Sequence, residues 1–223
     1  MAYVGVDTGG TFTDVVAFDP SGGDIVTLKV PSTPDDPSQA LLAGLTQLER
    51  RHGIRAPEIT RLIFGTTVAT NAIIEHKGAR TALLATDGNR DALLIQRQWR
   101  PRLFDLFMQK PKPFVPRRLT IGVAERIGAD GSVVRALTDE EAERVATAVE
   151  DLGVGSVAVS LLFSFLDPDH ERRLRDAIRK RAPDAYVSLS SEICPEFREY
   201  ERTCTVVTNA YVMPTIDRLI ARL

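Results

Sequence analysis

The chain has 223 residues, 43% hydrophobic and 26% charged, which suits one large soluble domain or one domain with a subdomain. Its net charge of −2 argues against a nucleic-acid or anionic-membrane partner, and no apolar run approaches the ~18 residues that span a bilayer. Two cysteines, Cys194 and Cys204, are too few for a disulfide framework, and no leader-like segment precedes the first strand pattern, so a cytoplasmic protein with reduced thiols is expected.

Strands are predicted at residues 3–8, 12–19 and 24–30, joined by short Gly-rich turns, which makes an antiparallel meander. A Pro/Ser/Asp-rich stretch ends it. The spacing then predicts a helix over 37–52, with Leu41, Leu42, Leu45 and Leu48 on one face and Gly53 as its stop. Residues 61–65 read as a strand, 66–77 as a helix ended by Gly78, and 80–85 as a strand. That order is a βαβ unit with parallel pairing. Asp87-Gly88 is a turn, and Asn89 is expected to cap a helix to about residue 98.

Residues 100–118 hold four prolines, six basic residues and three phenylalanines and read as a long irregular excursion. Trp99, at its head, reads as a packing residue. A hairpin of 120–127 and 132–135 follows, so a small inserted subdomain is expected at about 100–135. Thr138 to Glu141 form a capping box that opens a helix with Ala142, Val145, Val149 and Leu152 on one stripe. Residues 156–163 read as a strand buried on both faces. Asp167-Pro168 start a helix carrying Leu174, Ala177 and Ile178, and 186–189 is a last strand. Residues 203–223 are helical in pattern, with a break or kink at Pro214. They carry no stop signal, so a fragment of a longer protein is expected. His52, His76 and His170 have no His or Cys neighbour at ligand spacing, and no zinc or iron site is expected.

The first turn, Asp7-Thr8-Gly9-Gly10-Thr11, lies between two strands. The dinucleotide fingerprint needs a helix after its glycines, and the P-loop needs a lysine, so both are excluded. A Gly-rich hairpin still offers a nest of N–H groups to an anion. Strand alternation is expected to send Phe12 to the core and to put the Thr11 and Thr13 hydroxyls on the open face. Asp7 suits Mg²⁺, which takes oxygen ligands and keeps several waters. A plain hairpin turn is an equal reading of the pentapeptide alone.

Two other stretches carry candidate residues. Gly65-Thr66-Thr67 closes a strand and opens a helix, where free N–H groups favour an anion or a substrate carbonyl. Asn71, one turn on, reaches the same mouth; ordinary capping is the alternative. Glu192, Arg198 and Glu201 follow a core strand, whose end borders the ligand crevice of an α/β sheet, so they are substrate-side candidates. A solvated helix with local Glu–Arg pairs is the alternative.

"VGVDTGGTFTDVV" (residues 4–16) resembles the first phosphate loop of the fold shared by sugar kinases, actin and heat-shock chaperone ATPases. With "FGTTVATNAIIEHKGAR" (64–80) and "SSEICPEFREYERTCTVVTNAYV" (190–212) it resembles the N-terminal region of the hydantoinase A/oxoprolinase family. Cys204 stands where that family more often has a small hydroxyl residue. The resemblance implies an α/β fold with a ribonuclease-H-like mixed sheet: an antiparallel three-stranded meander plus parallel strands, helices on both faces, and a small inserted subdomain. This would be one half of the actin/sugar-kinase architecture. The other half, with its own phosphate loop and the adenosine pocket, would follow Leu223.

The resemblance also implies ATP and Mg²⁺ as cofactors. Thr8, Gly9, Gly10 and Thr11 would meet phosphate, with Thr13 assisting. Asp7 would hold Mg²⁺ directly or through water, and Asp14 would orient that shell or polarise the attacking group. The implied reaction is ATP-dependent opening of a cyclic amide of hydantoin or oxoproline type through carbonyl phosphorylation; N-methylhydantoinase is one such member. A ketone carboxylase subunit, a small-molecule kinase and a non-catalytic nucleotide-binding scaffold are the alternatives. The implied partners are a small cyclic amide or ketone, the rest of the polypeptide, and a second, hydantoinase B-type subunit in two-subunit assemblies. The 223 residues alone are expected to bind ATP weakly or not at all and to be inactive.

Overall fold

The computed structural model describes every residue except Pro34, Asp35, Trp99, Arg100, Pro101 and Leu103, so the packing expected of Trp99 lies outside the described residues. Contacts divide the chain into two compact units, Met1–Lys77 with Thr215–Leu223, and Gly78–Pro214.

The first unit contains β1 (Ala2–Thr8), β2 (Phe12–Phe18), β3 (Val26–Pro31), α1 (Pro37–His52), β4 (Ile59–Thr66) and α2 (Val68–Ile74). Its sheet has the order β3-β2-β1-β4. The expected meander is antiparallel throughout, and β4 adds to β1 in parallel. Every second strand residue points inward: Val4, Val6, Val15, Ala17 and Leu28 pack with Leu41 and Leu48 of α1. Gly53 takes φ 70° and donates its N–H to Glu49, which ends α1 where the sequence placed the stop.

Leu42 is not on the buried stripe of α1; it is 62% exposed. It stands about 100° round the helix from Leu41, and Gly44 takes the buried place instead. A Cβ on Gly44 would lie 2.7 Å from Val15 Cγ2, so the missing side chain lets helix and sheet approach. Hydrophobic periodicity does not mark a buried glycine.

The second unit contains β5 (Thr81–Thr86), α3 (Ala92–Ile95), β6 (Thr120–Val123), β7 (Arg126–Ile127), β8 (Val133–Arg135), α4 (Asp139–Leu152), β9 (Ser156–Ser160), α5 (Asp169–Arg181), β10 (Tyr186–Leu189), α6 (Ser190–Ile193) and most of α7 (Glu199–Arg222). A parallel sheet of order β10-β9-β5-β6 is its centre. All five residues of β9 are buried, as a strand covered on both faces requires.

Several expectations are corrected here. The strands at 61–65 and 80–85 do not form one βαβ unit: β4 pairs with β1, and β5 belongs to the other sheet. The helix between them stops at Ile74, because His76 turns left-handed at φ 54°. Gly78 is therefore no helix stop; its added Cβ would overlap the Tyr211 ring. Helix α3 spans four residues and opens at Asp91, while the Asn89 N–H is spent on the turn to Thr86 O. Of the predicted hairpin, only β7 and β8 pair. Residues 120–123 extend the parallel sheet beside β5, where Val123 is buried. Thr138 Oγ1 accepts the Glu141 N–H at 3.2 Å, but the Glu141 carboxylate accepts from Ala124 N and Arg144, so the capping box closes on one side only. Helix α7 runs through Pro214 without an assigned break. The absence of an N–H there removes one helical hydrogen bond and does not end the helix.

Candidate functional site

The β1–β2 turn is closed by the Gly9 N–H, which donates to Phe12 O at 3.0 Å. Neither Gly9 nor Gly10 has a positive φ, so the primed hairpin turns that demand glycine are not the reason for this pair. A Cβ on Gly9 would press on Phe12 O at 3.2 Å, whereas one on Gly10 would meet nothing within 4 Å. The fold therefore requires no glycine at position 10. A bare backbone facing open space there suits the close approach of an external group.

The faces of β2 are the reverse of those expected. Thr13 is fully buried, and Phe12 is 49% exposed with Lys29 Nζ 5.5 Å from its ring centroid. Val15 and Ala17 fix the inward parity of the strand, and Thr13 shares it. Its hydroxyl is tolerated inside because Thr8 Oγ1 lies at 3.3 Å and Ser32 Oγ at 2.9 Å. Thr8 and Thr13 thus brace the turn from beneath. Thr11 is exposed at the tip, and its carbonyl accepts the Ser32 N–H at 2.9 Å.

The open face of the same sheet carries the acids. Asp7 and Asp14 are direct cross-strand partners, and both are exposed. Like charges placed opposite one another are unfavourable. Lys29, the partner of Asp14 on β3, relieves one of them at 3.1 Å. Asp7 has no hydrogen-bond or ion-pair partner among the described residues. On its other side lies Gly65, where a Cβ would approach Asp7 Oδ1 to 3.2 Å. A carboxylate pair with one member uncompensated and room at its flank fits a hydrated divalent cation that takes one or two carboxylates. Among the described residues no group of three or more His, Cys, Asp and Glu side chains forms a metal cage.

Thr8, Gly9 and Gly10 share a cavity of about 260 Å³ with Thr67, Asn71, Glu75, Lys77 and Thr215. Thr66 Oγ1 accepts the Val68 N–H at 3.2 Å, so its hydroxyl is committed to capping. Thr67 Oγ1 accepts from Asn71 Nδ2 at 3.3 Å on the cavity wall. The structure thus brings Thr67 and Asn71 to the Gly-Gly turn and sets Gly65 beside Asp7.

In the second unit, Arg198 and Glu201 line a cavity of about 290 Å³ with Asn89, Gln96, Arg97 and Tyr200. Arg97 Nη2 contacts Glu201 at 2.6 Å, and that hydrogen bond holds the Glu201 carboxyl below its ordinary range. Arg198 takes φ 77°, and its guanidinium lies 5.2 Å from the Phe197 ring centroid. Glu192 does not line this cavity; it pairs with Arg175 at 2.7 Å.

A family profile described as the hydantoinase/oxoprolinase N-terminal region matches residues 3–182. The chain belongs to the hydantoinase/oxoprolinase family. It is 36% identical over 226 residues to the caprolactamase subunit alpha of Pseudomonas jessenii, covering 99% of this chain and 32% of that one. The crystal structure of ATP-dependent caprolactamase from that organism superposes with a TM-score of 0.85 at 37% identity, over 99% of this chain and 33% of that one. A nucleotide-free acetone carboxylase structure superposes with a TM-score of 0.88 at 26% identity, again over 99% and 33%. The chain spans about a third of the length of these relatives. Its α/β fold, a mixed meander-based sheet, a parallel sheet and packed helices, is that of these solved structures and is consistent with the actin-like ATPase architecture.

The hydantoinase/oxoprolinase chain also carries buried polar groups that sequence reading missed. Glu171 is fully buried and accepts from Leu161 N, Ser190 Oγ, Ser191 N and Ser191 Oγ at 2.7–3.0 Å. Arg202, only 1% exposed, donates to Glu196 O and Leu161 O, both at 2.8 Å. His170 Nε2 accepts the Leu137 N–H at 3.3 Å, which leaves Nδ1 to donate to Glu125 at 2.8 Å. The spacing held a signal. Glu171 precedes Leu174 and Ile178 on one stripe, and Arg202 precedes Val206 and Ala210 on another. A charged residue at a core-facing position looks like a solvated one until its buried partners are known.

Proposed function

We propose that the chain is the ATP- and Mg²⁺-binding N-terminal region of an enzyme that opens a cyclic amide through phosphorylation of its carbonyl oxygen. The observation that carries this reading is Gly10: an exposed glycine that the turn itself does not require, in the turn that follows the strand carrying the unpaired Asp7. The likeness to an ATP-dependent caprolactamase supports the substrate class, since caprolactam is a cyclic amide.

ATP, when bound, supplies the phosphoryl group that makes an inert amide carbonyl open to attack. The backbone N–H groups of Gly10 and Thr11 offer donors to phosphate oxygens, while the Gly9 N–H closes the turn onto Phe12 O and the bare Gly9 and Gly10 leave room for the approach. Thr8 and Thr13 keep that turn rigid through their buried hydroxyls. Asp7 supplies the Mg²⁺-facing carboxylate. Asp14, tethered by Lys29, would orient the water around a bound Mg²⁺ or polarise the attacking group. Thr67 and Asn71 face the same cavity from the other wall and are positioned to hold a carbonyl or a phosphate oxygen. Arg198 and Glu201 are assigned to the substrate side in the second unit, and Glu192, paired away with Arg175, is not.

Likeness to acetone carboxylase favours a second reading, a subunit of an ATP-dependent ketone carboxylase. The test is ATP hydrolysis by the full-length protein, with any partner subunit, measured alone and with lactams, hydantoin, oxoproline and ketones. Stimulation by a ring amide, with a ring-opened amino acid as product, is expected. Stimulation by ketones and bicarbonate alone favours the carboxylase, and no response to either class overturns both readings. Asp7→Ala should cut turnover by orders of magnitude while leaving the melting temperature nearly unchanged, because the exposed Asp7 side chain has no hydrogen bond or ion pair to lose among the described residues.

A further inference from the structure

We infer that Lys77 is the cation that meets the phosphate chain at the Gly9-Gly10 turn, and that Glu75 is its counter-ion when no phosphate is bound. This rests on the nucleotide reading above and adds the charge that the turn itself lacks. Residues 4–16 contain no lysine or arginine. Lys29, on the same sheet, is engaged by Asp14 at 3.1 Å. The cavity that holds Thr8, Gly9 and Gly10 has one cation and one acid among its described lining residues, Lys77 and Glu75. They contact each other at 2.6 Å.

The backbone fixes this arrangement. Helix α2 ends at Ile74, His76 turns left-handed, and the Lys77 N–H donates to Ala72 O at 2.9 Å. The chain is thereby folded back over the last turn of the helix, and Lys77 is held on the cavity wall. Its side chain is 74% exposed, so the ammonium moves freely on a flexible four-carbon stem. The hydrogen bond that Lys77 donates to the Glu75 carboxylate raises the Lys77 pKa, so the group is a cation throughout the neutral range.

An exposed ion pair such as this one contributes little to stability. It is easily exchanged for a stronger partner. A polyphosphate carries several negative charges where Glu75 carries one, and N⁺–H···O⁻ bonds to phosphate are among the stronger hydrogen bonds. The ammonium is therefore expected to leave Glu75 for the phosphate. Glu75 then stands near the phosphate as an unpaired like charge, so it opposes binding as Lys77 promotes it. That opposition of sign separates a phosphate-facing pair from a merely structural one.

The test is the Mg-ATP dissociation constant of the full-length protein, by calorimetry, for the wild type and for Lys77→Ala, Lys77→Arg and Glu75→Gln. Melting curves show that each variant is folded. Lys77→Ala should weaken binding by about tenfold or more, the scale of a lost hydrogen bond to a charged group. Lys77→Arg should stay close to wild type, and Glu75→Gln should bind more tightly than wild type. Wild-type affinity in Lys77→Ala overturns the inference while leaving the nucleotide reading intact. Weakened binding in both Lys77→Ala and Glu75→Gln overturns it in favour of a structural role for the pair. A wild type that does not bind Mg-ATP overturns the nucleotide reading and this inference with it.

Discussion

Gly10 and Gly78 are both glycines, yet they serve opposite ends. An added Cβ on Gly10 meets open space, and the backbone there is not left-handed. Gly78→Ala would force its Cβ into the Tyr211 ring, which is stacked on Phe114 at 4.7 Å between centroids and has little room to yield. Gly10→Ala is therefore expected to leave the melting temperature within about 2 °C of wild type while weakening Mg-ATP, because the methyl occupies the ligand's side of the turn. Gly78→Ala is expected to cost about 1–3 kcal/mol, the usual penalty of overpacking, and to lower the melting temperature measurably. Paired melting and binding measurements check both. If Gly10→Ala melted as early as Gly78→Ala, the first turn would be a structural turn only. The sequence showed these as two Gly-containing breaks. It held no sign of the second, because Tyr211 arrives from far along the chain.

Helix α4 shows how an element is anchored by a residue that local pattern assigns to another task. Glu141 has the spacing of a capping-box acid, but it bridges to the end of β6 through the Ala124 N–H at 2.7 Å and holds Arg144 at 2.7 Å. Arg144 first, and then the Ala124 N–H, draw its carboxyl below the ordinary glutamate range. A depressed carboxyl contributes stability that is fully present above its unfolded value and is lost as pH falls through its folded value. Glu141→Gln should therefore lower the melting temperature at pH 7, and the gap to wild type should close as pH falls below about 4, near the free glutamate value. A gap independent of pH would mean that the carboxylate charge does not hold α4 to β6. The bounds of α1 and β10 match the sequence expectation, whereas β9 begins as expected at Ser156 but ends at Ser160, short of the expected residue 163. The faces of Phe12 and Thr13 were not legible. Their parity is fixed by Val15 and Ala17 further along the strand, and a buried threonine looks like an exposed one until its partners Thr8 and Ser32 are known.

The two units have separate hydrophobic clusters, one around Leu48 of α1 and one around Leu174 of α5. This division was not legible in the run of residues 59–86. Strand, helix and strand follow one another there with short links, and sequential strands usually pair. Which sheet a strand joins depends on distant partners, here β1 for β4 and β9 for β5, and local pattern does not contain them. Separate cores imply separable cooperativity, since Leu48 and Leu174 belong to different clusters. Leu48→Ala and Leu174→Ala should each cost about 2–5 kcal/mol. Hydrogen exchange followed by strand should then show lost protection in β1, β2 and β4 for Leu48→Ala, and in β5, β9 and β10 for Leu174→Ala. Equal loss across all six strands in either variant would mean that the chain opens as one cooperative body. In the first unit, the strands that would open first are those that carry Asp7, Asp14 and the Gly-Gly turn. Leu48→Ala should therefore also weaken Mg-ATP through partial opening, whereas Leu174→Ala should leave that affinity unchanged.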